Sequence, residues 1–149
     1  MRLEKSGISI KKLKKILKHN YNIIGSIDRL DGEIDYNFRV HSSDDIKYLL
    51  KISRSDFNSD YIDYQVKLLD HLNKDCNIEL ALNIKTVEGK QFCIEEDRFG
   101  NNRCIRLLSW IEGRLWSSFN PIEKTLRIEL GSKACLLYTS DAADEVRRV

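Results

Sequence analysis

The spacing of apolar and polar residues changes period along the chain. Residues 8–19 repeat apolar side chains at helical spacing, with Ile10, Leu13, Ile16 and Leu17 on one face. Lysines fill the opposite face, which is the pattern of a solvated helix surface. The segment therefore predicts a short amphipathic helix at the start of the chain.

Three strand-like runs follow this helix. Along them the spacing changes from helical to alternating, which is typical of strands with one buried face. Asp31-Gly32 between the first two runs is a dipeptide typical of hairpin turns. Short connections throughout predict an antiparallel meander. The three runs are residues 21–30, 34–41 and 46–53.

The second half of the chain returns to helical spacing and then to strands. Residues 59–73 predict a helix capped by Ser59, and its apolar face can pack on the sheet. Asn120, Pro121 and Glu123 form a helix-start signature. The strands predicted between these two helices are a hairpin of residues 82–87 and 91–96 and a last strand at 104–110.

This order of elements predicts an α+β fold. The sheet should be antiparallel and five- to six-stranded, with one packed helix and further flanking helices. Three strands, a helix and two or three strands leading to a connector is also the order found in a protein-kinase-like N-terminal lobe.

Composition narrows the function classes only slightly. The chain has 149 residues, of which 42% are hydrophobic and 32% charged, as in ordinary globular proteins. Its formal net charge of +2 is too small to indicate a nucleic-acid partner. No apolar run approaches the ~18 residues of a membrane span. Lysines also interrupt any signal-peptide core. We therefore expect a cytoplasmic protein without nucleic-acid or membrane partners.

The last fifteen residues differ in character from the rest. Read back into codons, Cys135–Glu145 resembles the transposase end and adapter used to prepare DNA for sequencing. We therefore expect residues 135–149 to be an adapter-derived artefact outside the fold. Residues 1–134 would then be the natural start of a longer protein.

Four motifs in the predicted order resemble the aminoglycoside phosphotransferase family, and within it the branch that contains hydroxylysine kinase. The resemblance covers roughly residues 9–134. It implies a kinase-like N-lobe with hinge at residues 1–116, a connector and the start of a C-lobe helix at 117–134, and no C-lobe in this chain. The motifs are LDGEIDYNFRV (30–40), YLLKIS (48–53), YQVKLLDHL (64–72) and IRLLSWIEGRLW (105–116).

The resemblance implies that Lys51 contacts the phosphates of a nucleotide. A kinase needs such a cation on a rigid strand. Gln65, on the following helix, stands where related folds carry an acid, and it can accept a hydrogen bond from Lys51 without supplying charge. Asp60 and Asp63 are the other candidate partners. From the strand pattern alone, Lys51 can also be an ordinary surface lysine, and Gln65 can simply flank the core.

Two further elements of the nucleotide site follow from the resemblance. Asn37, in the hairpin over the phosphates, would bond backbone across the loop, although a purely structural role is equally open. Ser109, Trp110 and Ile111 match the hinge that holds the purine, through the Ser109 carbonyl and the Ile111 amide. The same segment can be read as an ordinary buried strand.

The function implied for the full-length parent is a small-molecule phosphotransferase. It would move the γ-phosphate of ATP or GTP to a hydroxyl of an amino-acid-like or amino-sugar substrate, and it would need Mg2+. The catalytic loop and metal ligands of the family have no counterpart after Trp116, so we assign no catalytic residue and no metal ligand within the chain. Alone it should be inactive. The alternatives are a non-catalytic binding module built on the basic first helix, or a pseudokinase N-lobe.

Overall fold

The computed structural model describes residues 6–32, 34–75, 79–114 and 123–146, together with Ser118 and Pro121. Within these residues three helices and six strands form the α+β fold predicted from the sequence. In chain order they are α1 (Ile10–Tyr21), β1 (Gly25–Leu30), β2 (Tyr36–Ser42), β3 (Lys47–Ile52), α2 (Ser59–Asp75), β4 (Asn83–Ile84), β5 (Cys93–Glu96), β6 (Asn102–Ser109) and α3 (Lys124–Val146).

The six strands form one antiparallel sheet in the order β1-β2-β3-β6-β4, and β5 also pairs with β6. The predicted meander of β1, β2 and β3 is confirmed. The predicted hairpin of β4 and β5 is not formed as a ladder, because each strand pairs with β6 instead. The turn between them is nevertheless closed, with Thr86 N donating to Lys90 O at 2.8 Å. Val87 N donates to Asn20 O, which ties this turn to the end of α1.

The main hydrophobic core lies between α1 and one face of the sheet. Leu13, Ile16 and Leu17 are buried, as their helical spacing predicts. They join alternate residues of the central strands in one cluster, so the first helix is a core element rather than a flanking one. The residues that β2, β3 and β6 contribute to this cluster are Phe38, Val40, Leu50, Ile52, Ile105 and Leu107.

The helix ends explain where the strand and helix boundaries differ from the predicted ones. Asn22 adopts the left-handed conformation (φ 54°), and its N–H donates to Leu17 O, which ends α1 at Tyr21. The first strand therefore begins at Gly25 rather than Tyr21. At the start of α2, Asn58 Oδ1 accepts from the amides of Asp60 and Tyr61, so Asn58 caps the helix instead of Ser59.

A buried ion pair joins the β5–β6 turn to the end of β3. Asp97 Oδ2 accepts from Arg103 Nε at 2.9 Å and from Arg103 Nη2 at 2.8 Å. Asp97 Oδ1 accepts from the amides of Phe99 and Asn101. Burial raises the pKa of Asp97, but the Asn101 amide, Arg103 and the Phe99 amide outweigh it and lower the pKa to about 2. Arg103 Nη1 also reaches Ser53 O at 3.3 Å.

We expect Asp97→Asn to lower the thermal midpoint at neutral pH, because an amide nitrogen would then oppose the donors around the carboxylate. The ordinary pKa of 3.8 is depressed in the folded state, so the stabilisation is present above that pH. It is lost as the pH falls towards 2. Thermal melts of wild type and variant should therefore differ at pH 7 and converge near pH 2. Asp28→Asn, at an exposed pair with Arg39, is the matched control and should change little. Equal melts of Asp97→Asn and wild type at pH 7 would contradict this account.

The last helix, α3, runs through the predicted adapter segment. Its described side chains are exposed up to Tyr138, apart from Leu126, which is half-buried. Leu130, four residues further along the helix, is 54% exposed. Asn120 of the predicted helix start, and the boundary proposed at residues 116 and 117, lie outside the described residues. The assignment of residues 135–149 to an artefact therefore stays a prediction.

Candidate functional site

The face of the sheet opposite α1 forms the floor of a cleft of about 570 Å3. The β1–β2 hairpin, the loop after β3 and the start of α2 form its walls. Its volume falls in the range typical of small-molecule sites. Polar residues that line the cleft include Asp35, Asn37, Lys51, Arg54, Gln65 and Arg106.

Strand register brings three polar side chains into one row on the cleft floor. Asn37 on β2 is the direct cross-strand partner of Lys51 on β3, and Lys51 is the partner of Arg106 on β6. Residues opposite one another in antiparallel strands share a face and have Cα atoms about 4.5–5.5 Å apart. Two cations and one amide therefore lie side by side at the centre of the sheet.

Lys51 is held by the hairpin above it rather than by the helix beside it. Lys51 Nζ lies 3.2 Å from Asp35 Oδ2, and both side chains are about three-quarters buried. Asp35 lies in the bend that precedes β2, two residues before Asn37, and it lines the same cleft. The helical acids proposed as partners lie elsewhere: Asp63 pairs with Lys67 at 2.7 Å, and Asp60 is exposed.

Gln65 lines the cleft, but its hydrogen-bond partner is Arg106 rather than the expected Lys51. Its Oε1 accepts from Arg106 Nη2 at 2.8 Å. Arg106 is only 8% exposed. Sequence reasoning assigned Arg106 no role, although it stands in the hinge motif. The signal was strand alternation. Arg106 and Leu108 are two residues apart on β6 and lie on one face of the sheet, whereas the core residue Leu107 lies on the other face.

Asn37 supports the hairpin over the cleft. A β-carbon on residue 32 would lie 2.5 Å from Asn37 Nδ2 and 2.6 Å from Asp35 O, so the close approach requires Gly32. Asn37 Oδ1 is buried and has no hydrogen-bond partner within the described part of the chain. Asn37 lines the cleft, so an acceptor without a partner is available beside it.

The predicted hinge residues lie at the end of β6 and do not line the cleft. Ser109 N donates to Leu82 O at 2.8 Å, and Ser109 Oγ accepts from Leu82 N at 2.9 Å. Trp110 is half-buried, and Ile111 is 39% exposed. Ser109 is three residues along β6 from Arg106, a distance of about 10 Å at the ordinary strand rise.

An apolar patch and an ion pair connect this hinge segment to the cleft floor. Leu49 and Leu108 are cross-strand partners on the face of Lys51 and Arg106. Leu107, between Arg106 and Leu108, belongs to the core on the other face of the sheet. Lys47 Nζ lies 2.5 Å from Glu112 Oε1, and the hydrogen bond that Lys47 donates lowers the pKa of Glu112. The segment after β6 is thereby tied to the start of β3.

The cleft offers little acid–base or metal chemistry of its own. Burial raises the pKa of Cys104, which lines the cleft, to about 12, so the thiol stays neutral and unreactive. Within the described ranges, no three His, Cys, Asp or Glu side chains are grouped in a way that could hold a metal ion.

None of the described helices is both long and apolar enough to cross a membrane.

Comparison with known proteins identifies the architecture. No protein-family model matches the sequence, and no curated protein matches it at significant similarity. The fold is similar to that of amicoumacin kinase hAmiN, solved in complex with AMP-PNP, Ca2+ and Ami, with a TM-score of 0.63 and 20% identity. It is also similar to the microcompartment-associated aminopropanol kinase, with a TM-score of 0.62 and 14% identity.

The chain has the fold of a kinase-like N-terminal lobe. The similarity to the amicoumacin kinase covers 76% of this chain and 35% of that one. For the aminopropanol kinase the shares are 73% and 34%. This chain therefore corresponds to about a third of either kinase, which agrees with the N-lobe predicted from its motifs.

Proposed function

We propose that this chain is the N-terminal nucleotide-binding part of a small-molecule phosphotransferase. The parent would move the γ-phosphate of ATP or GTP to a hydroxyl of an amino-acid-like or amino-sugar substrate. The observation that carries the proposal is Lys51, which lies on the cleft floor beneath the β1–β2 hairpin, 3.2 Å from Asp35. The likeness to two small-molecule kinases supports it.

Phosphoryl transfer needs positioned charge more than covalent chemistry from the protein, because the leaving group, a nucleoside diphosphate, is already part of the nucleotide donor. Lys51 lies on a central strand, with β2 on one side and β6 on the other, so its backbone is rigid. Asp35 restrains the ammonium group in the cleft. In this account Lys51 contacts the α- and β-phosphates.

The purine would bind at the C-terminal end of β6, beside the hinge residues. The Ser109 carbonyl and the Ile111 amide are the proposed base contacts, and Trp110 lies between them. Leu49 and Leu108 would supply an apolar surface between base and phosphates. The separation of about 10 Å between Ser109 and Arg106 suits a ligand that extends from hinge to cleft floor.

A divalent cation, expected to be Mg2+, would neutralise phosphate charge in the parent. The amicoumacin kinase complex contains AMP-PNP and Ca2+, which is consistent with that expectation. In the family that the motifs resemble, the base and the metal ligands lie in the C-terminal lobe. What this chain's own residues do is therefore limited to binding and orienting the nucleotide.

The alternative of a binding module built on the basic first helix is less well supported. It requires Lys51 to join the lysines of α1 in one surface. Lys51 instead lies on the sheet face opposite the α1 core. One of the helix lysines, Lys12, is also engaged, with Glu96 O at 2.6 Å and Glu95 Oε2 at 3.4 Å. A pseudokinase N-lobe would keep the same cleft and differ only in the rest of the parent.

The proposal is tested by titrating the chain with ATP and following tryptophan fluorescence, which the proposed contact at Trp110 should perturb. We expect saturable binding that Lys51→Ala weakens on the order of tenfold, equivalent to about 1.4 kcal/mol. Arg39→Gln removes the same charge from the same sheet face outside the cleft lining, and should bind like wild type. Binding of equal strength by Lys51→Ala and wild type would count against the proposed site.

A further inference from the structure

Among the described residues three cations line the cleft, and they differ in whether a carboxylate pairs with them. Lys51 pairs with Asp35, and Arg54 pairs with Asp56 at 3.5 Å. Both carboxylates line the same cleft. The third cation, Arg106, has only the neutral amide of Gln65 as a side-chain hydrogen-bond partner within the described residues. The cleft floor therefore carries one buried positive charge without a carboxylate.

This arrangement costs stability. Arg106 is 92% buried, and taking a charge out of water is expensive unless an opposite charge compensates it. Its direct cross-strand neighbour is Lys51, and like charges opposite one another in a sheet repel. Lys51 and Arg106 are thus adjacent cations, and within the described residues one carboxylate, Asp35, pairs with Lys51. The positive charge that remains suits a site that binds an anion.

We propose that Arg106 is a second phosphate-binding residue of the cleft, and that Gln65 orients it without neutralising it. The ligand class is a polyphosphate, here the triphosphate of a nucleotide. The inference deepens the proposed function and rests on it for the nucleoside part of the ligand. An arginine suits this role because its fork of donors can bind two phosphate oxygens at once.

The choice of glutamine at position 65 follows from this role. The amide oxygen fixes one guanidinium nitrogen at 2.8 Å, so the side chain is held in the cleft. Because the amide carries no charge, the positive field remains for the ligand. A glutamate at this position would make the same hydrogen bond and cancel the field. Gln65 is thus a positioning residue whose neutrality matters.

The test measures binding of inorganic tripolyphosphate and of ATP by calorimetry at fixed ionic strength, together with thermal melts. Arg106→Gln should weaken tripolyphosphate binding on the order of tenfold or more. Gln65→Glu keeps Arg106 and should raise or preserve the thermal midpoint while weakening tripolyphosphate binding to a similar extent. Gln91→Glu is the control for added negative charge. Like Gln65, Gln91 accepts a side-chain hydrogen bond at Oε1, but the donor is Asn83 and the pair lies outside this cleft. The variant should bind like wild type.

The two variants separate a binding role from a structural one. Wild-type tripolyphosphate affinity in both Arg106→Gln and Gln65→Glu would overturn the inference, and ATP binding dependent on Lys51 would leave the nucleotide proposal intact. Binding dependent on Arg106 with no extra affinity for ATP would uphold the inference and refute the nucleotide function. If wild type bound neither ligand, both would be overturned. If Arg106→Gln failed to fold, Gln65→Glu would decide alone.

Discussion

Replacing Lys51 by alanine in the full-length parent is expected to lower turnover by about 30- to 1,000-fold while leaving the fold intact. The loss corresponds to about 2–4 kcal/mol of transition-state stabilisation, the scale of removing one preorganised electrostatic donor. Lys51 should matter this much because it is partly buried and held by Asp35, so its charge is directed into the cleft. Steady-state turnover at saturating nucleotide is the measurement.

The control for this experiment is Arg39→Gln, which removes a cation of β2 that pairs with Asp28 outside the cleft lining. Its turnover should match wild type, and circular dichroism of both variants should overlay that of the parent. Near-normal turnover in Lys51→Ala would remove the nucleotide site from the β3 strand. The kinase-like fold would stand, but the proposed function of its cleft would not.

Truncating Leu13 to alanine is expected to lower the free energy of unfolding by about 2–5 kcal/mol. Leu13 is fully buried between α1 and the sheet, so its removal leaves a cavity in the main core. Chemical denaturation of this chain measures the effect. A loss this large would be a substantial part of the stability of a small domain.

Leu130→Ala on α3 is the matched control, because the Leu130 side chain is 54% exposed and is not part of the main core cluster. It should stay within about 0.5 kcal/mol of wild type, as surface substitutions usually do. Should Leu13→Ala be equally mild, α1 would not be part of the cooperative core. The main core would then have to be sought between α2 and the opposite face of the sheet.

Much of the fold follows from side-chain periodicity. The apolar face of α1 and the β1–β2–β3 meander were predictable, because each pattern persists over several residues. The connection of β4 and β5 was not, because a turn signal at Glu88–Lys90 shows where the chain reverses but not which strand it pairs with. Both strands pair with β6, and the turn between them is tied to the end of α1 by the long-range hydrogen bond from Val87 N to Asn20 O.

The cleft was predicted in part, and mainly through the resemblance to a kinase family. Asn37, Lys51 and Gln65 do line one cleft. Their hydrogen-bond partners were not predictable, because alternation gives the face of a residue but not which neighbour across the sheet will reach it. The expected contact of Lys51 with Gln65 is replaced by two pairs, Lys51 with Asp35 and Arg106 with Gln65.

The most direct test of the central claim is nuclear magnetic resonance of the 15N-labelled chain titrated with ATP. We predict that the largest amide shift changes fall along the cleft floor, at Asn37, Lys51 and Arg106, and along the hinge at 109–111. The apolar face of α1 packs on the other side of the sheet, and its lysines face away from the cleft, so amide shifts of α1 should change little. Shift changes concentrated on α1, or none up to millimolar ATP, would contradict the assignment of this cleft as a nucleotide site.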